Sequence, residues 1–524
     1  MQGVPLLVLT CGLLFVVRQL INLWNAVRSV GNLPGYRTLF PYNSAVAFFI
    51  PPMAGVSTGR NYFFKDKHTI FKSAGWDAIS VASAFLPISL FPQTNTVISL
   101  ADADAIKEVA SSRARFPKPV AQYVALTFFG RNIVASEGEE WKKYRKISAP
   151  AFSDRNNKLV WDETVQIMSG LFEEVWKDKD EISVDHCVDV TLPIALFVIG
   201  VAGFGRKLSW HDDVAIPSGH QMTFKDSLHI ASLDIFYKAF LPKRALESGP
   251  ARLRKVKLAF DELGAYMSEM IKERHNSEKV ERHDLLSSLL DANSDDLDAD
   301  RLTESELIGN IFIFLVAGHE TTAHTLCFTF ALLAFHPEEQ ERLLQHIKSI
   351  LPDGRIPTYE EMPLLTYSMA VFYETLRLFP PVPSIPKVSA EDTVLSVGNT
   401  YGEKRTVPIP KGTRIAINTA GLHYNPRYWD DPESFKPSRF LKDWPRDAFV
   451  PFSVGARACL GRKFFETEGI AVLTMLVSRY KISIKEEPQF AGESLEQCKA
   501  RVFRTKSALT LTPLRVPLTF RRRT

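Results

Sequence analysis

The feature that most constrains this chain is one cysteine and the nine residues around it. Phe452-Ser453-Val454-Gly455-Ala456-Arg457-Ala458-Cys459-Leu460-Gly461 runs into a segment of helical spacing that reaches about Arg479. Cys459 is thereby placed near a helix N-terminus, where free N–H groups and aligned peptide dipoles favour a thiolate. The five cysteines, Cys11, Cys187, Cys327, Cys459 and Cys498, are odd in number and form no Cys-x-x-Cys pair. That argues against a disulfide framework or a structural zinc and for reduced thiols, one of which can be chemically special. The bland reading, a buried structural cysteine beside a glycine turn, is the default for a single Cys. The whole ten-residue pattern makes coincidence improbable.

The spacing Phe-x-x-Gly-x-Arg-x-Cys-x-Gly resembles the haem-binding loop of the cytochrome P450 family. The resemblance implies haem b (iron protoporphyrin IX) with Cys459 as the axial iron ligand, since a thiolate pushes electron density toward O–O cleavage. On that reading Phe452 covers the sulfur and Arg457 pairs with a haem propionate. Gly455 and Gly461 let the backbone approach the flat macrocycle. The fold class expected is mainly α with a small β portion, the cytochrome P450 fold.

Three other elements are similar to the family in order and spacing. Glu374-Thr375-Leu376-Arg377 puts Glu and Arg on one helix face. Arg439 follows in Phe435-Lys436-Pro437-Ser438-Arg439-Phe440, and the resemblance implies a buried structural triad of Glu374, Arg377 and Arg439. Ala317-Gly318-His319-Glu320-Thr321-Thr322 interrupts an apolar helix with polar residues, and such breaks of local pattern mark functional sites. Gly318 is expected to allow a kink or π-type bulge. The family segment implies that Thr321 hydrogen-bonds oxygen on that side of the haem and that Glu320 relays protons toward it. The competing reading is threonine bonding back to its own helix. Trp141 and Arg145, four apart on a helix, are implied to meet a propionate; a packed Trp beside a solvated Arg is the alternative. The family often carries an Arg a few residues beyond Pro380-Pro381, and this chain offers only Lys387, a point charge without the guanidinium fork.

Val4 to Val17 is almost unbroken apolar sequence, and counting through Trp24 reaches the ~20 residues of a membrane-spanning helix. Arg18 can snorkel, Arg28 and Arg37 follow, and no charged side chain precedes the segment, so the remainder is expected to face the cytosol. A cleaved signal peptide would want a basic n-region, which Met1-Gln2-Gly3 does not supply. The expected organisation is an anchor and linker over 1–30 and one haem-thiolate monooxygenase domain over 31–524. Residues 78–100, broken by Pro87 and Pro92, suit a strand pair. Residues 138–290 read as mostly helical, and Asp291 to Asp300 as an exposed loop. Thr303 and Glu306 form a capping box before a long apolar helix. Leu509 to Leu514 and Pro517 to Phe520 read as a hairpin.

A net charge of +4 is too small to argue for nucleic acid. The resemblance implies insertion of one oxygen atom of O2 into a hydrophobic small molecule. The electrons would come from NADPH through NADPH–cytochrome P450 reductase, with cytochrome b5 as a second partner, because no flavin or dinucleotide fingerprint is present. Lys142, Lys143 and Lys146, with Arg462 and Lys463, form a basic patch that could dock an acidic reductase; a solvated basic face is the alternative. By analogy the pocket draws on apolar segments near Phe116–Phe129, Met222–Leu241, Phe312–Thr321, Ser384–Pro386 and Leu509. The style of the chain is similar to fungal microsomal P450s of the endoplasmic reticulum, which makes terpenoid or sterol tailoring in secondary metabolism the expected role, with fatty acid or xenobiotic hydroxylation as the alternative. A haem-thiolate isomerase or dehydratase working without O2 is the second reading, against which the Glu320-Thr321 pair argues. A non-catalytic haem sensor or carrier is the third.

Overall fold

The computed structural model describes residues 3–44, 47, 50–85, 96–206, 208, 210, 215–276, 284–294 and 301–523. In chain order the main elements are α1 (Gly3–Ser29), β1 (Arg37–Thr38), β2 (Ala78–Ser83), β3 (Thr96–Leu100), α2 (Ala103–Ser111), α3 (Gly138–Ser148) and α4 (Asp154–Gly170). Next come β4 (Glu181–Val184), α5 (Val188–Val198), α6 (Phe224–Leu233), α7 (Ala251–Asn276), α8 (Leu285–Ser294), α9 (Glu304–Phe335), α10 (Pro337–Ile350) and α11 (Thr366–Leu378). Then follow β5 (Ser384–Val388), β6 (Thr393–Gly398), β7 (Lys404–Ile409), β8 (Arg414–Asn418), α12 (Arg462–Arg479), β9 (Tyr480–Ile484), β10 (Thr505–Ser507), β11 (Leu511–Pro513) and β12 (Leu518–Arg522). The class is mainly α with a small β portion.

The chain divides into two compact units. The first is Met1–Gln122, Val382–Ser434 and Pro445–Ala458. Its sheet has the order β1-β2-β3-β8-β5, with the β6–β7 hairpin apart. β2 and β3 are antiparallel, with Ala78 opposite Leu100. They are the strand pair expected in 78–100; Pro87 and Pro92 lie outside the described residues. All residues of β2, β3 and β8 are buried. A sheet covered on both faces takes continuous apolar and β-branched runs rather than alternation.

The helix α1 carries the expected anchor segment. Its window Leu9–Ser29 is long and apolar enough to cross a membrane, and none of it is buried. Leu13, Phe15 and Trp24 are exposed along it, and the Arg28 guanidinium lies 4.4 Å from the centroid of the Trp24 ring.

The second unit is Tyr123–Pro381, Phe435–Trp444 and Cys459–Thr524. Its axis is α9, apolar enough to resemble a span but 78% buried in its apolar window, and therefore a core helix. The capping box forms as expected: Thr303 Oγ1 accepts from the Glu306 N–H at 3.2 Å, and Glu306 accepts from the Thr303 N–H at 2.8 Å. α5 packs along α9, and α4 packs along α12. A small sheet of order β4-β12-β9 and the β10–β11 hairpin complete the unit.

Several expectations are corrected. The two C-terminal apolar runs do not pair with each other. β11 pairs with β10, while β12 lies between β4 and β9. Leu511, Leu518 and Phe520 are all buried, and apolar period says that a strand is covered without saying which strand lies beside it. Asp291 to Ser294 closes α8 rather than opening a loop; 295–300 lie outside the described residues. Within the mostly helical stretch, Glu181–Val184 is a strand because β12 offers it an edge. Finally, α9 runs as an α-helix through Gly318 with no bulge. A Cβ there would meet Ile199 Cδ1 at 3.0 Å, so the glycine serves a close approach of the chain following α5.

The helix α12 crosses α11 as closely at Gly469, where an added Cβ would lie 2.2 Å from Phe372 Cζ. Gly469→Ala is expected to cost about 1–3 kcal/mol by overpacking, read as a lowered denaturation midpoint. An unchanged midpoint would show that Phe372 can move away freely.

Candidate functional site

The Glu374, Arg377 and Arg439 side chains meet. Glu374 and Arg377 have no solvent exposure at their side chains. Arg377 holds the carboxylate bidentately, Nε to Oε2 at 2.7 Å and Nη2 to Oε1 at 2.8 Å. Arg439 Nε donates to Oε1 at 3.1 Å, and the Lys436 N–H donates to the same oxygen at 2.9 Å. Helical spacing on α11 aligns the first two, and the 3₁₀ turn Pro437–Leu441 delivers the third.

Cys459 leads into α12 through Leu460 and Gly461 and is exposed. The atoms packed around its sulfur nevertheless push the thiol pKa up, and the Gly461 N–H and the Arg462 charge pull it down without prevailing. Among the described residues no group of three or more His, Cys, Asp or Glu could hold a metal ion. A single thiol suits a metal that brings its other ligands in a macrocycle.

The helix α9 carries the other candidate residues. Phe314, Ala317, Gly318 and Thr321 recur at three and four and are partly or fully exposed, while Leu315, Val316, His319, Glu320 and Thr322 between them are buried. One stripe of a core helix is therefore open. Thr321 lies on it, its hydroxyl donating to the Ala317 carbonyl at 2.8 Å. Glu320 lies on the buried flank beside it, 2% exposed, with neither carboxylate oxygen in a formed hydrogen bond. Burial pushes its pKa up to about 7, against the pull of Thr510 and Lys506. His319 is a neighbour only, bound through Nδ1 to the Leu315 carbonyl at 2.7 Å.

Trp141 and Arg145 share a face of α3. The indole is buried, and the guanidinium lies 5.7 Å from its ring centroid. Of the basic patch, Lys142 pairs with Glu139 at 2.6 Å, Lys143 with Glu306 at 3.0 Å and Arg462 with Glu466 at 2.8 Å. At least three of its five charges are thus paired within the chain, and Lys143 helps to fasten α3 to the start of α9.

Phe452, Gly455 and Arg457 belong to the first unit. Gly455 has φ +71°, and a Cβ there would meet the Ala110 carbonyl oxygen at 3.1 Å. Its glycine is required by the turn and by the close approach of α2. Gly461 differs: an added Cβ would meet only Phe152 Cε1, at 3.5 Å, so protein packing does not demand the glycine. Lys387 is buried on β5, opposite Ile415.

Sequence reasoning missed three features. Ser453 adopts φ +59°, a left-handed strain that a non-glycine residue rarely takes. His423, fully buried, accepts the Val450 N–H at Nε2 at 2.9 Å and stacks on Phe449. Thr510 meets His324 beside Glu320. Only the spacing of His324, one turn beyond Glu320, was visible in advance.

A mainly helical chain with one open thiol at the start of a buried helix, and one open stripe on its core helix, has the build of a haem-thiolate protein. The Cytochrome P450 family model matches residues 87–499. Cytochrome P450 monooxygenase 124 of Postia placenta is 55% identical over 501 residues, covering 95% of both chains. Cyclooctat-9-en-7-ol 5-monooxygenase of Streptomyces melanosporofaciens is 30% identical over 388 residues, 72% of this chain and 78% of its own. The solved cytochrome P450DA heme domain shares the fold, with TM-score 0.73 at 22% identity over 94% of this chain and 99% of that one. The chain belongs to the cytochrome P450 family, the monooxygenases that carry haem.

Two outcomes follow. Arg377→Met strips Glu374 of its bidentate partner and is expected to cost about 3–5 kcal/mol, measured by denaturant unfolding. Glu320, with its folded pKa raised from 4.5 to about 7, holds a proton that the unfolded chain releases between those values. Its contribution to stability is therefore fully present below about 4.5 and is lost as pH rises to about 7, by on the order of 3 kcal/mol. Glu320→Gln should flatten that dependence, gaining over the parent at pH 8 and not at pH 4. A constant difference at both pH values would refute the assignment.

Proposed function

We propose that this chain is a membrane-anchored, haem-thiolate monooxygenase acting on a hydrophobic small molecule, with Cys459 as the axial ligand. The observation that carries the reading is the exposed Cys459 thiol at the approach to α12, set in the same unit as the open stripe of α9. When bound, the haem supplies the activation of O2. The residues implied to hold it are Cys459, with Trp141, Arg145 and Arg457 for the propionates and Phe452, Gly455 and Gly461 lining the loop.

The remaining steps fall to the chain. Phe314 and Ala317 present apolar surface on the open stripe and orient a lipophilic substrate. Thr321 keeps lone pairs free after donating to Ala317 and can accept or pass a proton at Oγ1. Glu320, poised at about 7, can hold a proton near neutral pH and release it, as a general acid requires. The Glu374, Arg377 and Arg439 cluster is structural.

Electrons are proposed to come from NADPH through a reductase on the same membrane, with cytochrome b5 as a second donor. The exposed apolar α1, with Arg28 in its last turn, supports an endoplasmic reticulum anchor with the catalytic domain in the cytosol. Terpenoid or sterol tailoring in fungal secondary metabolism is the substrate reading. The relative named for cyclooctat-9-en-7-ol supports the substrate class, and the Postia placenta relative supports the fungal setting.

The test is a reduced carbon monoxide difference spectrum. A Soret band near ~450 nm is expected from axial sulfur, and Cys459→Ala should abolish it in a protein that still folds. Persistence of the band in that variant would refute the ligand.

A further inference from the structure

The polar cluster behind Glu320 is not used by the reading above. On α9, one turn beyond Glu320, His324 is 3% exposed, and its Nδ1 lies 2.9 Å from Thr510 Oγ1. Thr510 is itself buried, between the hairpin strands β10 and β11. Glu320 is buried beside it, with both oxygens unbonded and within the influence of Thr510. A buried carboxyl without a partner costs free energy, so its persistence beside a hydroxyl that already engages a histidine calls for an account.

We propose that Glu320, Thr510 and His324 form a proton relay that recharges Glu320 from the buried flank of α9 beside the open stripe. The proposal rests on the reading of Glu320 as a proton donor and names its supply. Thr510 and His324 are positioning residues that act through Glu320.

Rotation of the Glu320 side chain closes the gap to Thr510. An imidazolium at His324 gives its Nδ1 proton to Thr510 Oγ1. Thr510 gives its own hydroxyl proton to the Glu320 carboxylate. One N–H and one O–H bond break, one O–H bond forms on each oxygen, and both ends finish neutral. No electron moves.

Other titratable groups surround His324. The groups that bear on His324 are His319 on α9, His186 before α5, His229 on α6 and Lys506 on β10. Lys506 also bears on Glu320, and His229 on His319. Burial, with these charges, lowers His324 to about 3, so its imidazolium is short-lived, as a carrier's should be. His186 is partly exposed, and its Nδ1 accepts the Val516 N–H at 3.2 Å. That bond leaves the mobile proton of His186 on Nε2.

The test reads proton connectivity directly. The protonated Glu320 carboxyl gives an infrared C=O band, assigned by its loss in Glu320→Gln, whose shift on transfer to D2O times the exchange of its proton. In holoenzyme at a pH below about 7, where the carboxyl holds that proton, Thr510→Val and His324→Gln are expected to slow the exchange by on the order of tenfold or more. Thr510→Ser, which keeps the hydroxyl, should restore it. Exchange at the parent rate in either Thr510→Val or His324→Gln would overturn the relay. Turnover of Glu320→Gln is read separately: undiminished turnover with slowed exchange in the other two variants removes the donor reading and leaves the relay standing.

Discussion

Glu374 is a carboxylate with no solvent around it, and much of the second unit answers that constraint. An unpaired charge in such a place is untenable, so donors must arrive together: the fork of Arg377, the Nε of Arg439 and the N–H of Lys436. Arg377 comes from the same helix. The other two come from Phe435–Trp444, a short excursion of the chain into the second unit between stretches that belong to the first. The charge on Glu374 thus fastens to α11 a segment that apolar packing alone would hold loosely. Tyr373, next to Glu374, stacks edge-on with Phe440 from that excursion and adds the apolar part of the same attachment.

The helix α9 carries a second constraint. It is buried along most of its length, so each polar group on it must find a partner or change its charge. The threonines do the first: Thr321, Thr322, Thr325 and Thr329 each donate to the carbonyl four residues back. Such bonds satisfy the hydroxyls without spending a second element on them. Glu320 does the second, its pKa raised by burial until it is neutral through much of the acid range. The same helix therefore supplies packing, an open stripe and a carboxyl set near neutral pH.

Much of this was legible in advance because it depends on local spacing. The capping box at Thr303 and Glu306, the three-residue offset of Glu374 and Arg377 and the four-residue offset of Trp141 and Arg145 follow from helical periodicity. Other features depend on what arrives from elsewhere in the chain. Gly318 reads as a bulge site until Ile199 is found against it, and the Ala110 carbonyl that crowds Gly455 carries no signal in the local sequence. Ser453 and His423 carry no sequence signal of their own, because a strained φ and a backbone acceptor are set by the loop around them.

By itself the sequence determined the helical class, the position of Cys459 before a helix, the charges that would have to be buried together and the polar break in α9. These are matters of side-chain chemistry and of intervals along one chain. Tertiary structure alone decided that β12 pairs with β4 and β9, that Lys143 answers Glu306, and that Glu320 faces Thr510 and His324 rather than the open stripe. A strand edge, an ion pair and a pKa are each set by the groups packed alongside, and those groups lie up to hundreds of residues away along the chain.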